Sequence, residues 1–134
     1  MLGSVPLLII PFILYNIGLT GAIGEAGGAP WETELFSVAM MSGGVFTMTL
    51  GDVLVVIGLI LLFVEVVKST RTSNSSVIDH LLSTFVLVAF IVEFLLVKGA
   101  AHSVFFTLMV IALVDVLSGF SVSIRAAGRD VNVS

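Results

Sequence analysis

Residues 53–67 read VLVVIGLILLFVEVV, an apolar run carrying one charged residue, Glu65, near its end. A bilayer core about 30 Å thick takes roughly 20 mostly apolar residues per helix, and this run extends backward through Leu50 toward Phe46. Comparable runs lie on either side of it. Leu2 to Ile23 is interrupted by Pro6, Pro11 and Asn16; Val77 to Val97 and Ser103 to Ile124 complete the set. The sequence therefore predicts an all-α integral membrane protein: four transmembrane helices in a compact bundle, forming a single membrane domain over 1–134. The spans fall near 2–23, 46–67, 77–98 and 103–124, with a cytoplasmic loop at 68–76. Residues 24–45 are expected to form an outer loop, or an interfacial or re-entrant segment.

Composition supports this and excludes several function classes. The chain is 58% hydrophobic and 10% charged, against about 25% charged residues in soluble domains, so it lacks the polar surface of a water-soluble enzyme. Its apolar content also excludes intrinsic disorder. Net charge −4 with five Lys and Arg leaves no basic face for nucleic acid, whose binding rests on neutralising phosphates. With no cysteine there is no disulfide, thiol chemistry or cysteine-ligated metal.

Orientation follows from the placement of Lys and Arg near span ends. Lys68 and Arg71 lie between spans two and three, and Arg125 and Arg129 follow span four; Lys98 alone lies opposite. Glu25, Glu32 and Glu34 occupy the first link without a positive residue. The pattern predicts both termini on the cytoplasmic side (N-in/C-in). Compactness and charge bias suggest a prokaryotic cytoplasmic membrane, and an archaeal membrane fits equally. The first run lacks a positive n-region and carries two prolines, so it reads as a retained span rather than a signal peptide. Pro11 is expected to kink it.

Between spans one and two, GEAGGAPWE (24–32) reads as a loop, with Trp31 suited to the headgroup boundary. LFSVAMMSGGVFTMTL (35–50) follows, apolar but broken by Ser42, Gly43 and Gly44. It reads as a lengthened second span, an interfacial helix or a re-entrant segment. The KGAA link (98–101) makes spans three and four a tight antiparallel hairpin.

Charged groups within spans are costly and merit a functional reading beside the structural one. Asp115 is the deepest, with Ile111, Ala112, Ser118 and Gly119 at helical spacing. It is either a neutral Asp at a helix contact or a carboxylate carrying a proton or cation. Glu93 and Asp52 fall at similar depth on the outer side and are candidates to share a proton or cation. Thr49-Leu50-Gly51-Asp52 alternatively matches a capping box. Asn16 offers hydrogen bonds to a neighbouring helix, as does Tyr15. Ser76 to Asp79 also matches a capping box, and Glu65 and Lys68 are spaced to pair on one face. Gly51, Gly58 and Glu65 recur every seven residues, and Gly18 and Gly21 line the end of span one. With Ala112 and Gly119, these glycines read as packing surfaces within the bundle or between subunits.

No nucleophile elbow, P-loop or HExxH is present. His80 and His102 stand at opposite span ends, which excludes a shared metal within one subunit, and no cofactor or metal is expected. Three functions remain. The first is a non-enzymatic bundle acting as a homo-oligomer or with other membrane subunits in the lipid bilayer. The second is a proton-coupled transporter or ion channel using Asp115, Glu93, Asp52 and Asn16. The third, an intramembrane enzyme acting on lipid or quinone, rests only on His102 and the carboxylates.

Overall fold

In the computed structural model, residues 5–20, 29–69 and 74–133 are described. Helix α1 spans Ile9–Leu19, a 3₁₀ turn Ala29–Glu32, strands β1 Glu34–Ala39 and β2 Val45–Thr49, and helix α2 Leu50–Ser69. Helix α3 spans Asn74–Leu96, and a second 3₁₀ turn, Lys98–Ala100, leads to α4, Ser103–Val133. The fold is mostly helical. Three helices, α2, α3 and α4, contain stretches long and apolar enough to cross a membrane. The described part of the first run gives an 11-residue helix, about 16 Å at 1.5 Å per residue.

Pro11 does not kink α1. It is the third residue of the helix, where the backbone N–H has no intrahelical acceptor in any case. The approach to the helix is a tight turn in which Ile9 N–H donates to Pro6 O and Ile10 N–H to Leu7 O.

The largest departure from expectation is residues 34–49. They form no helix, and the helix of span two starts at Leu50 rather than reaching back to Phe46. Instead β1 and β2 pair antiparallel, Phe36 opposite Met48, Ser37 opposite Thr47 and Val38 opposite Phe46. Alternation puts Phe36, Val38, Phe46 and Met48 on one side and Ser37 and Thr47 on the other. The Ser37 hydroxyl contacts Thr47 Oγ1 at 3.0 Å and donates to the Glu34 carboxylate. Gly43, at φ +91°, supplies the left-handed residue of the turn, which is closed by Met40 N–H donating to Gly44 O at 2.7 Å. β2 runs directly into α2, whose first residue, Leu50, donates its N–H to Thr33 O.

In the bundle α4 packs along both α2 and α3, while α2 and α3 meet only slightly. α1 lies over one face of this layer. Phe105 of α4 is fully buried at the junction, with Phe12 and Tyr15 of α1 and Phe90 and Phe94 of α3 around it at ring-centroid distances of 4.9–6.4 Å. Aromatic pairs at such separations favour edge and offset geometries, which fixes α1 to the α3–α4 pair. Trp31 is buried within the protein. It stacks on Tyr15 at 4.8 Å and lies so close to Gly18 that a Cβ there would meet its Cζ2 at 2.4 Å.

Candidate functional site

Two polar groups of residues lie within the helical layer. The larger, the inner group, gathers the C-terminal end of α2, the first turns of α3 and the middle of α4. Lys68 Nζ is 3.1 Å from Glu65 Oε1 and 3.5 Å from Asp79 Oδ1, and it donates to Val5 O at 3.0 Å. Glu65 Oε1 also accepts the Leu7 N–H at 2.7 Å. That N–H precedes α1, so the carboxylate sits where the helix dipole favours negative charge. Asp115 approaches from α4 with Ser83 of α3 beside it, and Glu65, Asp79 and Lys68 are its charged neighbours. All four of Glu65, Asp79, Ser83 and Asp115 are buried.

Sequence spacing accounts for part of this set. Glu65 and Lys68 pair on one helix face as their three-residue separation predicts. Asp79 departs from its expected role as a helix cap. α3 begins at Asn74, so Asp79 is the sixth residue of the helix, buried against Lys68. Glu65 joins the cluster because Gly51, Gly58 and Glu65 form one buried stripe. A Cβ on Gly51 would meet Val104 Cγ2 at 2.7 Å, and one on Gly58 would meet Leu108 Cδ2 at 3.1 Å. Absence of side chains at these two positions lets α2 approach α4, and Glu65 two turns further on is brought toward Asp115. Gly119, one turn beyond Asp115, is filled from outside by His80 of α3, whose Nδ1 would lie 2.4 Å from an added Cβ. The His80 ring also meets Phe120 edge-on at 4.2 Å. Ala112 is buried on the same side of α4 as Asp115. Gly21 lies outside the described residues.

The second, the outer pair, lies near the C-terminal ends of α1 and α3. Asn16 of α1 lies beside the Glu93 carboxyl of α3 and donates its own Nδ2–H to Phe12 O at 2.8 Å. Tyr15 OH donates to Gly99 O in the α3–α4 turn at 2.9 Å. Asp52 is not drawn into this group. It is exposed and caps α2 reciprocally: its carboxylate accepts the Thr49 N–H while Thr49 Oγ1 accepts the Asp52 N–H, both at 3.1 Å. This is the capping-box geometry. It lines an open groove of about 320 Å³ between α2 and α4 with Ser103 and Thr107, whereas Glu93 faces α1. His102 is likewise a cap. Its Nδ1 accepts the Val104 N–H at 3.1 Å, and its Nε2 lies 3.8 Å from Glu32 Oε1.

Chemically, the inner group juxtaposes three buried carboxyls with one ammonium, while the outer pair has a single carboxyl. Among the described residues no set of three or more His, Cys, Asp or Glu is arranged to hold a metal ion. Comparison with protein-family models, with curated proteins and with solved structures finds no match to this chain.

Proposed function

We propose that this chain is a four-span membrane protein with both termini cytoplasmic that works as a non-enzymatic oligomer or as an accessory subunit of a membrane complex. One observation carries the reading: α4 is packed by α2 on one side and α3 on the other, yet α2 and α3 scarcely meet, so the layer is open on the face away from α1. An open layer of helices is half of a packed structure, and membrane helices associate through van der Waals fit and polar contacts rather than by hydrophobic expulsion. The polar side chains of the inner group support it too, because Lys68, Glu65 and the backbone before α1 satisfy one another and tie the chain together. Four crossings require the first span to draw on residues flanking α1. The bacterial or archaeal cytoplasmic membrane remains part of the same proposal. Particle mass of the protein in nanodiscs, with identification of co-purifying subunits, tests the reading. A homogeneous monomer with no co-purifying subunit overturns it.

A second reading, proton-coupled transport or ion conduction, draws on one specific feature. Three carboxyls facing one lysine need protons or a cation for local charge neutrality, and moving such a charge in and out is what a carrier does. Flux into liposomes that is abolished by Asp115→Asn supports it, and flux indifferent to that substitution removes it.

A further inference from the structure

The open face of the layer has a periodicity of its own. Phe106, Val110, Leu113, Leu117 and Phe120 of α4 are each 38–55% exposed, and they are separated alternately by four and three residues. That is the a/d spacing of a coiled-coil seam. The residues α4 buries in its own bundle occupy the b, c and f positions of the same heptad (Phe105, Leu108, Ile111, Ala112, Asp115 and Gly119) and one g position, Val116, centred on the opposite side of the helix. The fold thus consumes one side of α4 and leaves Val110, Leu113 and Leu117 facing outward, with Phe106 and Phe120 about half exposed beside Phe94 and His80 of α3.

Lipid covers apolar side chains inside a bilayer, so the seam within the span does not by itself call for protein. Beyond it, the same spacing does. α4 is 31 residues long, about 46 Å against a hydrocarbon core of about 30 Å, so roughly its last ten residues extend past the core. Over this extension the sequence keeps the same alternation, at Ile124, Ala127 and Val131, while Arg125, Arg129 and Asp130 fall between. An amphipathic helix continuing a seam into water needs a partner with the matching seam. A second copy supplies one in the correct direction, because every copy inserted with the same orientation presents α4 in parallel. Val110, Leu117, Ile124 and Val131 occupy a and Phe106, Leu113, Phe120 and Ala127 occupy d; of the a residues Val110, Ile124 and Val131 are β-branched, the type that at a favours two strands in a parallel pair.

We infer that α4 pairs with α4 of a second copy along the seam from Phe106 to Val131, the last turns of which form a short parallel coiled coil outside the bilayer. The inference rests on the oligomer reading and on the cytoplasmic C-terminus, and it names the surface involved.

Because the chain has no cysteine, single substitutions read the seam directly. Leu117→Cys, Phe120→Cys, Ile124→Cys, Ala127→Cys and Arg125→Cys and Arg129→Cys are each oxidised in native membranes, alongside the particle mass of the unmodified protein. Disulfides form only when Cα atoms come within about 7 Å, so seam positions are expected to give disulfide-linked dimer about tenfold above Arg125→Cys and Arg129→Cys. The two extension positions carry the test even where a change in the span disturbs folding. An oligomeric mass with crosslinking that is flat, or strong only within the span, overturns the α4 seam and leaves the oligomer reading standing. A monomeric mass with no crosslinking at any position overturns both.

Discussion

Lys68→Met is the sharpest test of the inner polar group. The substitution keeps the apolar stem and removes the ammonium that Glu65, Asp79 and Val5 O share at 3.1, 3.5 and 3.0 Å. At an effective dielectric near 20, each ion pair at such distances is worth ~5 kcal/mol before desolvation is counted. Desolvation opposes most of that in the intact protein, but a truncated pair leaves carboxylates buried without a counter-ion, which costs about 3–5 kcal/mol. Exposure decides which regime applies: the Lys68 side chain is 15% and that of Glu65 1% accessible, far from the solvated pairs that contribute about 0–1 kcal/mol. Trp31, the single tryptophan, is buried against Tyr15, so its fluorescence reports equilibrium unfolding in mixed micelles. Lys68→Met is expected to lower stability by ~3–5 kcal/mol. Adding Glu65→Gln and Asp79→Asn restores most of it, because the residual loss is the hydrogen bond to Val5 O, about 1 kcal/mol. A single-variant loss below about 1 kcal/mol, the range of an exposed pair, would show that water reaches the group and would refute the reasoning. So would a triple variant less stable than the single one.

Four further outcomes follow from the packing. Gly119→Ala places a methyl 2.4 Å from His80 Nδ1 and should cost about 1–3 kcal/mol as overpacking; His80→Ala in the same chain should recover most of it in the Trp31 unfolding assay. Tyr15→Phe removes the bond to Gly99 O and should cost about 1 kcal/mol, with faster amide exchange in the α3–α4 turn. Asp52→Ala loses one arm of the α2 cap, a loss of about 1 kcal/mol, and should leave flux or partner capture unchanged, because Asp52 stands apart from both polar groups. Gly43→Ala meets no steric neighbour but must hold φ +91°, which costs roughly 1–2 kcal/mol and should raise amide exchange across 36–48 without changing the helices.

The long apolar runs carried most of the helical architecture because hydropathy over 20 residues depends on composition alone, and α2, α3 and α4 lie where those runs do. The hairpin shows what composition hides. Residues 35–50 are apolar enough to resemble part of a span, yet Phe36 and Val38 alternate with Ser37, Val45 to Thr49 is rich in β-branched and aromatic residues, and Ser42-Gly43-Gly44 separates the two halves. Period-two alternation around a glycine turn is the hairpin signal, and the high hydropathy of these residues masks it. Pro11 follows the same logic: its effect depends on where the helix starts, and helix starts are poorly marked inside a continuous apolar run.

The inner polar group was legible one helix at a time. Spacing paired Glu65 with Lys68 and gave Asp115 small neighbours at three and four residues, because both relations lie within a single helix and follow from 3.6 residues per turn. The rotation of α2 and α3 about their own axes relative to α4 is set by packing between helices, which no single-helix period encodes. The seven-residue stripe of Gly51, Gly58 and Glu65 nonetheless held the missing relation. Two glycines on one face mark where a neighbouring helix comes close, and a carboxylate on that face must then be carried inward with them. Read in that order, the glycines place Glu65 opposite α4, and the deepest acidic residue of α4, Asp115, becomes its natural neighbour. Asp79 enters only through Lys68, whose stem is long enough to leave its own helix and reach both Val5 O and the first turns of α3.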